Sequence, residues 1–231
     1  MNKMDLSYLQ GMKEKLDLEL LGFFPIESST PDDLRSKALS LLPSAKSVIV
    51  LGKEIHKEIV SLLNPTKETG AADPGELLIP HMDYLSGRLN RATYDLIHLF
   101  RKEGYRSLPL PSAGCPTDQR TLTAVFSYKY AGALAGLGTI GKNGLLITPE
   151  YGPRVRLACL LTEAPLEGSP GKIRDYCLDR NACIQACPAH ALKDRGKDGI
   201  YSMNQFACRT YRQTGISCSM CMKACDEALS N

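Results

Sequence analysis

The sequence contains no tryptophan and only five phenylalanines, and aromatic residues make up 6% of it. A surface that grips nucleic acid by stacking needs such rings, and no recognition motif accompanies the basic residues, so a nucleic-acid partner is not expected. Histidine is scarce too. His56, His81, His98 and His190 share no ligand spacing and are expected at the surface or as satisfied core residues. No apolar run approaches the ~20 residues that cross a bilayer, which argues against a membrane partner. The N-terminus, MNKMDLSYLQGMKEKLDLEL, is charged and helical in pattern. It lacks a signal-peptide core and a twin-arginine motif, so a cytoplasmic location is the expectation. With 28 Lys and Arg against 25 Asp and Glu, the formal charge of +3 offers little attraction to a polyanion.

Cysteine is what the sequence does have. Nine are present, and Cys177, Cys183, Cys187, Cys208, Cys218, Cys221 and Cys225 crowd into residues 169–231. The same stretch holds the whole basic excess, nine Lys and Arg against six Asp and Glu, while residues 1–168 balance at nineteen of each. Cysteines packed this way in a chain without an export signal point to metal ligation more than to disulfides. At 231 residues there is length for one well-buried core and a small appended unit. The expected division is a larger domain over 1–168 and a cysteine-rich domain over 169–231.

Periodicity places the elements. Leu6, Leu9, Met12, Leu16 and Leu20 step by threes and fours, an amphipathic helix over 6–20. Thr30 as N-cap, Pro31 at the first helical position and two acids behind it start a second helix running to about Leu42. SVIVLG at 47–52 reads as a short buried strand, and residues 64–80, rich in Pro, Gly and charge, as a loop. A helix over 82–103 carries one stripe, Leu85, Leu89, Ala92, Leu96 and Leu99, with Arg101 and Lys102 ahead of a stop at Gly104. YRSLPLPSAG follows as strand and loop. Thr117 or Asp118 caps a further helix through LTAVFSYKYAGALAG, and GLLIT and RVRLACLLT form a hairpin across the turn PEYGP.

Gly136, Gly138 and Gly141 stand in G-x-G-x-x-G spacing. A dinucleotide site needs a strand to enter that motif and a helix to leave it, so that N–H groups face the pyrophosphate. Here a helix enters and a strand leaves, the reverse order. Gly136 ends the incoming helix, and Gly138, Gly141 and Gly144 let the backbone turn tightly or lie close against a flat ligand. Spacing alone favours a tight turn without a ligand.

The cysteines carry a sharper signal. Bacterial two-cluster ferredoxins use C-x2-C-x2-C-x3-C-P runs in which the fourth cysteine of each run ligates the other cluster. In CLDRNACIQACP, Cys177, Cys183, Cys187 and Pro188 keep that register, and Arg180 occupies the second ligand position. In CSMCMKACD, Cys218, Cys221 and Cys225 follow Cys208, and Asp226 stands where proline is usual. Crossing the runs assigns Cys187, Cys208, Cys218 and Cys221 to one [4Fe-4S] cluster. Cys177, Cys183 and Cys225 remain for a second. That one is a three-iron [3Fe-4S] cluster, a four-iron cluster with a non-cysteine ligand, or one completed by Cys115 or Cys159. A zinc module is the competing reading, but zinc sites more often pair two C-x2-C knuckles, and C-x3-C-P is a cluster signature.

AGALAGLGTIGKNGLLITPEYGPRVRLACLLTEAPLE followed by this cysteine domain resembles the epoxyqueuosine reductases, and LITPEYGPRVRLA is also similar to the reductive dehalogenases. The resemblance covers about 131–226. It implies an α+β chain with a nitroreductase-like α/β domain that binds cobalamin, followed by a ferredoxin-like domain whose clusters feed it electrons singly. The turn of Gly136, Gly138, Gly141, Lys142 and Gly144, with Tyr151, Gly152 and Arg154 in the hairpin, would then lie beside the corrin. Three departures matter. The aspartate general acid of the epoxyqueuosine reductases has no counterpart in TLTAVFSYKY, the sequence ends six residues after Cys225 without the tRNA-holding repeats, and one cluster ligand is replaced. Activity on epoxyqueuosine is therefore not expected. In a dehalogenase-like site a tyrosine delivers the proton, which makes Tyr128 and Tyr130 the candidates, against the commoner role of helix tyrosines in cores and interfaces.

Taken singly, Lys142 contacts a corrin amide, a nucleotide tail or a substrate anion, or is simply solvated. Arg154 and Arg156 alternate on a strand and suit anion contact or an exposed sheet face equally. Cys115 and Cys159 read as small buried side chains. The expectation is an iron–sulfur, cobalamin-dependent oxidoreductase acting on a small molecule. Its rivals are a non-catalytic electron-transfer or corrinoid-handling protein with a redox partner, and an FMN-binding reductase.

Overall fold

The computed structural model describes residues 6–64, 70, 72–167, 174–177, 180–194, 203–213 and 218–230. In chain order its elements are α1 (Leu6–Lys15), β1 (Leu20–Pro25), α2 (Asp32–Leu41), β2 (Ser47–Glu54), α3 (Lys57–Ser61), a 3-10 turn (Pro74–Leu77) and α4 (Leu78–Lys102). Then come β3 (Ser107–Leu110), β4 (Thr117–Asp118), β5 (Thr123–Ala124), α5 (Tyr128–Leu134), β6 (Thr139–Ile140), β7 (Leu146–Ile147) and β8 (Val155–Thr162). Three helices close the sequence: α6 (Ala182–Gln185), α7 (Gln205–Gln213) and α8 (Met220–Ser230). They gather into two compact units. One comprises Met1–Lys53, Tyr84–Leu137 and Arg156–Ile173, the other Glu54–Asp83, Gly138–Val155 and Arg174–Asn231.

The first unit is built on a four-stranded sheet of order β1-β2-β8-β3. β1 runs antiparallel to β2, with Phe24 opposite Val48, and β3 antiparallel to β8, with Leu110 opposite Cys159. Val48, Ile49, Val50 and Leu51 have no exposed surface, because both faces of the sheet are covered and successive side chains point to opposite faces. Ile49 and Leu51 pack with Met12 of α1, Leu89, Leu96 and Phe100 of α4, and Leu160. Val48 and Val50 pack with Leu34 and Ala38 of α2, Ala131 of α5, Phe126 and Leu161. A fully buried aliphatic side chain of this kind contributes about 1.5–3 kcal/mol. The continuous apolar run of SVIVLG is thus the mark of a strand with helices on both sides.

Five expectations are corrected. The helix expected over 6–20 stops at Lys15 and Leu20 opens β1, whose Phe23 and Phe24 face opposite cores. Thr30 does not cap α2: its hydroxyl accepts from the Glu27 N–H (3.1 Å) and donates to the Pro25 carbonyl (3.4 Å), and Pro31 holds the cap position. No helix starts at Thr117 or Asp118. Asp118 Oδ1 accepts from the Arg120 N–H two residues on (2.9 Å), a local turn that competes with capping, so 117–124 is a hairpin and the helix begins only at Tyr128. GLLIT and RVRLACLLT do not pair with each other either. β7 pairs with β6, whereas Ala158–Leu161 of β8 is fully buried and needs the two-sided cover of the central sheet. Within 64–80 the chain forms the 3-10 turn, capped by Asp73 accepting from the Gly75 N–H (2.8 Å), and runs directly into α4.

The second unit has a different core. Cys183, Cys187, Ala191 and Leu192 are buried together, with Ile184, Met203, Ala207, Cys208 and Cys221 packed against them. Its β6–β7 hairpin sets Thr139 opposite Ile147 and Ile140 opposite Leu146. A Cβ on Gly138 would stand 2.2 Å from the Ile147 carbonyl oxygen, so glycine is the residue that lets the two strands close.

Candidate metal centre

All seven clustered cysteines belong to the second unit. Cys183 sits on the single turn of α6, and Cys187 follows where Pro188, which has no N–H to donate, keeps the helix from continuing. Cys208 lies on α7. Cys218 precedes α8, which carries Cys221 and Cys225 four residues apart and so on one face.

Cys177, Cys183 and Cys225 line one small cavity, and Cys183 and Cys187 are buried with Cys208 and Cys221 packed against them. Burial pushes Cys221 up to about 12, and the neighbours that add to it include Cys218, Cys208 and Cys187. Burial raises Cys208 as well, with Cys218 and Cys187 contributing. Burial also pushes Cys225 up to about 12, with Cys183 and Cys177 the main thiol neighbours, and Cys183 rises through burial and Cys177. Cys183 adds to the rise of Cys221 ahead of Cys187, and Cys221 adds to that of Cys225. Among the described residues, no three His, Cys, Asp or Glu side chains converge closely enough to share one metal ion. Cysteine sulfur is the donor that an iron–sulfur cluster takes, one thiolate to each iron, and zinc takes it as well.

Backbone N–H groups point at the sulfurs, the donors that steady a cluster's thiolates. The Lys142 N–H donates to Cys177 Sγ at 3.2 Å and the Ala191 N–H to Cys187 Sγ at 3.3 Å. Asn143 lies within hydrogen-bond reach of Cys225 and donates to the Cys221 carbonyl at 3.4 Å. Arg212 on α7 favours the charged form of Cys208. The Lys142 side chain, 4% exposed, is not solvated: Nζ pairs with Asp194 (2.8 Å) and donates to Asn181 Oδ1 (2.7 Å).

Arg154 is likewise held inside the unit, not on an open sheet face. Its Nε contacts Asp226 Oδ1 at 2.7 Å, and Nη1 contacts Glu54 Oε1 at 2.6 Å and the Ile55 carbonyl at 2.8 Å. Arg156 does not share these partners; its Nε donates to Ser86 at 3.0 Å. Asp226 therefore has a reason to stand where proline is usual. It supplies the buried carboxylate for Arg154, and it lets α8 run on through Cys225 to Ser230 where proline would break it.

The remaining sequence candidates are placed as follows. Gly141 and Gly144 close a turn on each other, Gly144 N–H to Gly141 O at 2.8 Å, and the Thr148–Gly152 bridge closes the loop that carries Tyr151. Gly136 belongs to the first unit and ends α5 at φ 77°, a left-handed conformation natural to glycine. Tyr128 is also there. Its hydroxyl donates to the Pro111 carbonyl at 2.8 Å, and burial, with Cys115 beside it, raises it well above the ordinary phenol value. Tyr130 is 54% exposed, under the Lys129 ammonium. Cys159 is sealed in the core of the first unit and cannot complete the three-cysteine set.

Several site residues had no signal in the sequence. Asn181, Asp194 and Glu54 are ordinary polar residues whose roles come from what the fold sets beside Lys142 and Arg154. His56 and His81, 25 positions apart, stack with ring centres 4.6 Å apart, and the His56 N–H donates to His81 Nε2 at 3.1 Å. Burial and His56 hold His81 below the ordinary imidazole value. Two hydroxyls, Ser112 in the first unit and Thr139 in the second, are buried without a partner among the described residues.

No protein-family model matches the chain. Over 78 residues it is 44% identical to the epoxyqueuosine reductase of Listeria monocytogenes, a match covering 33% of this chain and 19% of that protein. Over 139 residues it is 32% identical to the tetrachloroethene reductive dehalogenase of Dehalobacter restrictus, covering 58% of this chain and 23% of that protein. Among solved structures, the epoxyqueuosine reductase of Streptococcus thermophilus superposes with a TM-score of 0.59 at 21% identity, over 95% of this chain and 65% of that one. A reductive dehalogenase whose structure suggests a mechanism for B12-dependent dehalogenation superposes with a TM-score of 0.69 at 17% identity, over 94% of this chain and 31% of that one. The mixed α/β fold and these matches define the class, a relative of reductases. The chain is related in sequence to both the epoxyqueuosine reductases and the reductive dehalogenases, and it shares their fold. The matches span less than a quarter of each of these two curated relatives.

Proposed function

We propose that this chain is an iron–sulfur oxidoreductase that uses a corrinoid for reductive chemistry on a small molecule. Cys187, Cys208, Cys218 and Cys221 hold a four-iron cluster, and Cys177, Cys183 and Cys225 hold a second. The observation that carries the reading is the gathering of the cysteines in one unit, with Cys177, Cys183 and Cys225 lining one cavity and Cys187, Cys208 and Cys221 packed together with Cys183. Backbone donors at Cys177 and Cys187 orient the thiolates, and Arg212 offsets charge at Cys208. Clusters of this kind reach the low potentials that corrinoid reduction requires. Likeness to a dehalogenase whose structure suggests a B12-dependent mechanism supports a corrinoid. The glycines do not add to that support, since Gly136 and Gly138 have reasons within the chain itself.

A second reading has its own observation. The Tyr128 proton is committed to the Pro111 carbonyl and Tyr130 faces solvent, so neither is placed as an acid. This favours a protein that passes electrons to a corrinoid without itself protonating a substrate. The test is anaerobic addition of cob(II)alamin to cluster-loaded protein. A shift of its absorption followed by reduction, with concurrent bleaching of the clusters, supports both readings, and turnover of an organohalide separates them. A co-purifying flavin overturns the corrinoid.

A further inference from the structure

Cys177, Cys183 and Cys225 line a small cavity of about 20 Å³ together with Asn143, Tyr176 and Arg180. Arg180, an exposed residue, stands at the position where the ferredoxin spacing puts the missing cysteine and lines this cavity. We propose that Cys177, Cys183 and Cys225 hold a three-iron cluster, with Arg180 occupying the corner that a fourth iron would take. The inference rests on the reading that this unit carries iron–sulfur clusters.

The chemistry of the corner follows from what faces it. A guanidinium is always charged, carries five N–H donors and has no lone pair to offer a metal. It repels an incoming ferrous ion and donates hydrogen bonds to the sulfides that a missing iron leaves exposed. Other donors are committed elsewhere. Lys142 is paired with Asp194, and Asn143 is used by the Leu145 N–H (3.0 Å) and the Cys221 carbonyl (3.4 Å). The Asp175 carboxylate accepts from the Cys177 N–H at 2.9 Å. Of the two thiols outside the cysteine-rich stretch, Cys159 is sealed in the first unit's core and Cys115 lies in that same unit beside Tyr128. Cys183 lines the cavity with Cys177 and Cys225 and is also packed with Cys187, Cys208 and Cys221, so a four-cysteine cluster and a three-iron neighbour would sit side by side.

The test loads the full chain anaerobically with excess ferrous iron and sulfide, oxidises it mildly, and records iron, sulfide and the electron paramagnetic resonance spectrum. An oxidised three-iron cluster is paramagnetic and an oxidised four-iron cubane is not. The expected result is a stoichiometric three-iron signal that persists despite the excess iron, with iron one short of two full cubanes and sulfide undiminished. Arg180→Cys should abolish the signal and add one iron per chain. Arg180→Gln, which keeps the size and removes the charge, should take up ferrous iron and lose part of the signal. Two full cubanes in the wild type, or a signal unchanged in Arg180→Cys, overturns the three-iron proposal alone. A chain that takes up neither iron nor sulfide overturns the cluster reading and this proposal with it.

Discussion

Replacing Arg154 by methionine is the sharpest test of how the second unit is held together. Arg154 and Asp226 are each 7% exposed, and the guanidinium binds Asp226, Glu54 and the Ile55 carbonyl at 2.7, 2.6 and 2.8 Å. Removing one partner of a buried ion pair costs about 3–5 kcal/mol, because the other charge is left without solvent or partner. The Glu54 side chain is 31% exposed and turns to water when released, so the cost comes mainly from Asp226 and lies near the low end, about 3 kcal/mol. For a chain of this length that lowers the unfolding midpoint by about 6–12 °C. Thermal unfolding followed by circular dichroism, under argon and at one loading state, measures it. The double variant R154M/D226L removes both buried charges and should recover at least half the loss, since buried pairs exchange for apolar residues at little cost. A midpoint within about 2 °C of wild type for R154M, or a double variant as unstable as the single, would refute the reasoning.

Three further expectations follow from the same geometry. Asp226→Pro should destabilise by about 3 kcal/mol more than Asp226→Ala, because proline breaks α8 in mid-helix besides removing the carboxylate; equal losses in urea unfolding would count against a continuous α8. Gly138→Ala should cost about 1–3 kcal/mol, because its Cβ meets the Ile147 carbonyl at 2.2 Å, while Gly87→Ala, in open space on α4, should stabilise by roughly 0.5–1 kcal/mol. The same melting assay ranks the pair. Glu163 is held down to about 2 from an ordinary 4.5, chiefly by hydrogen bonds from Arg106, so its contribution is complete above pH 4.5 and fades as pH falls through about 2. An acid titration of stability should therefore flatten over that window in Arg106→Ala, and an unchanged profile would dismiss the pair.

What the sequence reveals here is set by the range of the interactions that leave a trace in it. The α4 stripe and the buried β2 run are local patterns with a fixed period, and both elements form where that period puts them. The gathering of the cysteines is legible too, because seven of them crowd into one stretch of sequence that falls within one unit. Pairing across distance is not. RVRLACLLT carries no mark of whether its neighbour is GLLIT or β3, and the outcome is decided by which sheet covers Ala158–Leu161 on both faces. Asp118 offers a cap and a turn with equal plausibility on paper, and the Arg120 N–H decides between them. The proline missing after Cys225 is visible in the sequence, but its meaning depends on Arg154, 72 positions away.

Iron, zinc and acid-labile sulfide measured per chain on protein purified without oxygen test the central claim most directly. Two thiol groups that hold clusters predict iron and sulfide in near-equal amounts and no zinc. Stoichiometric zinc, or iron without sulfide, would contradict it.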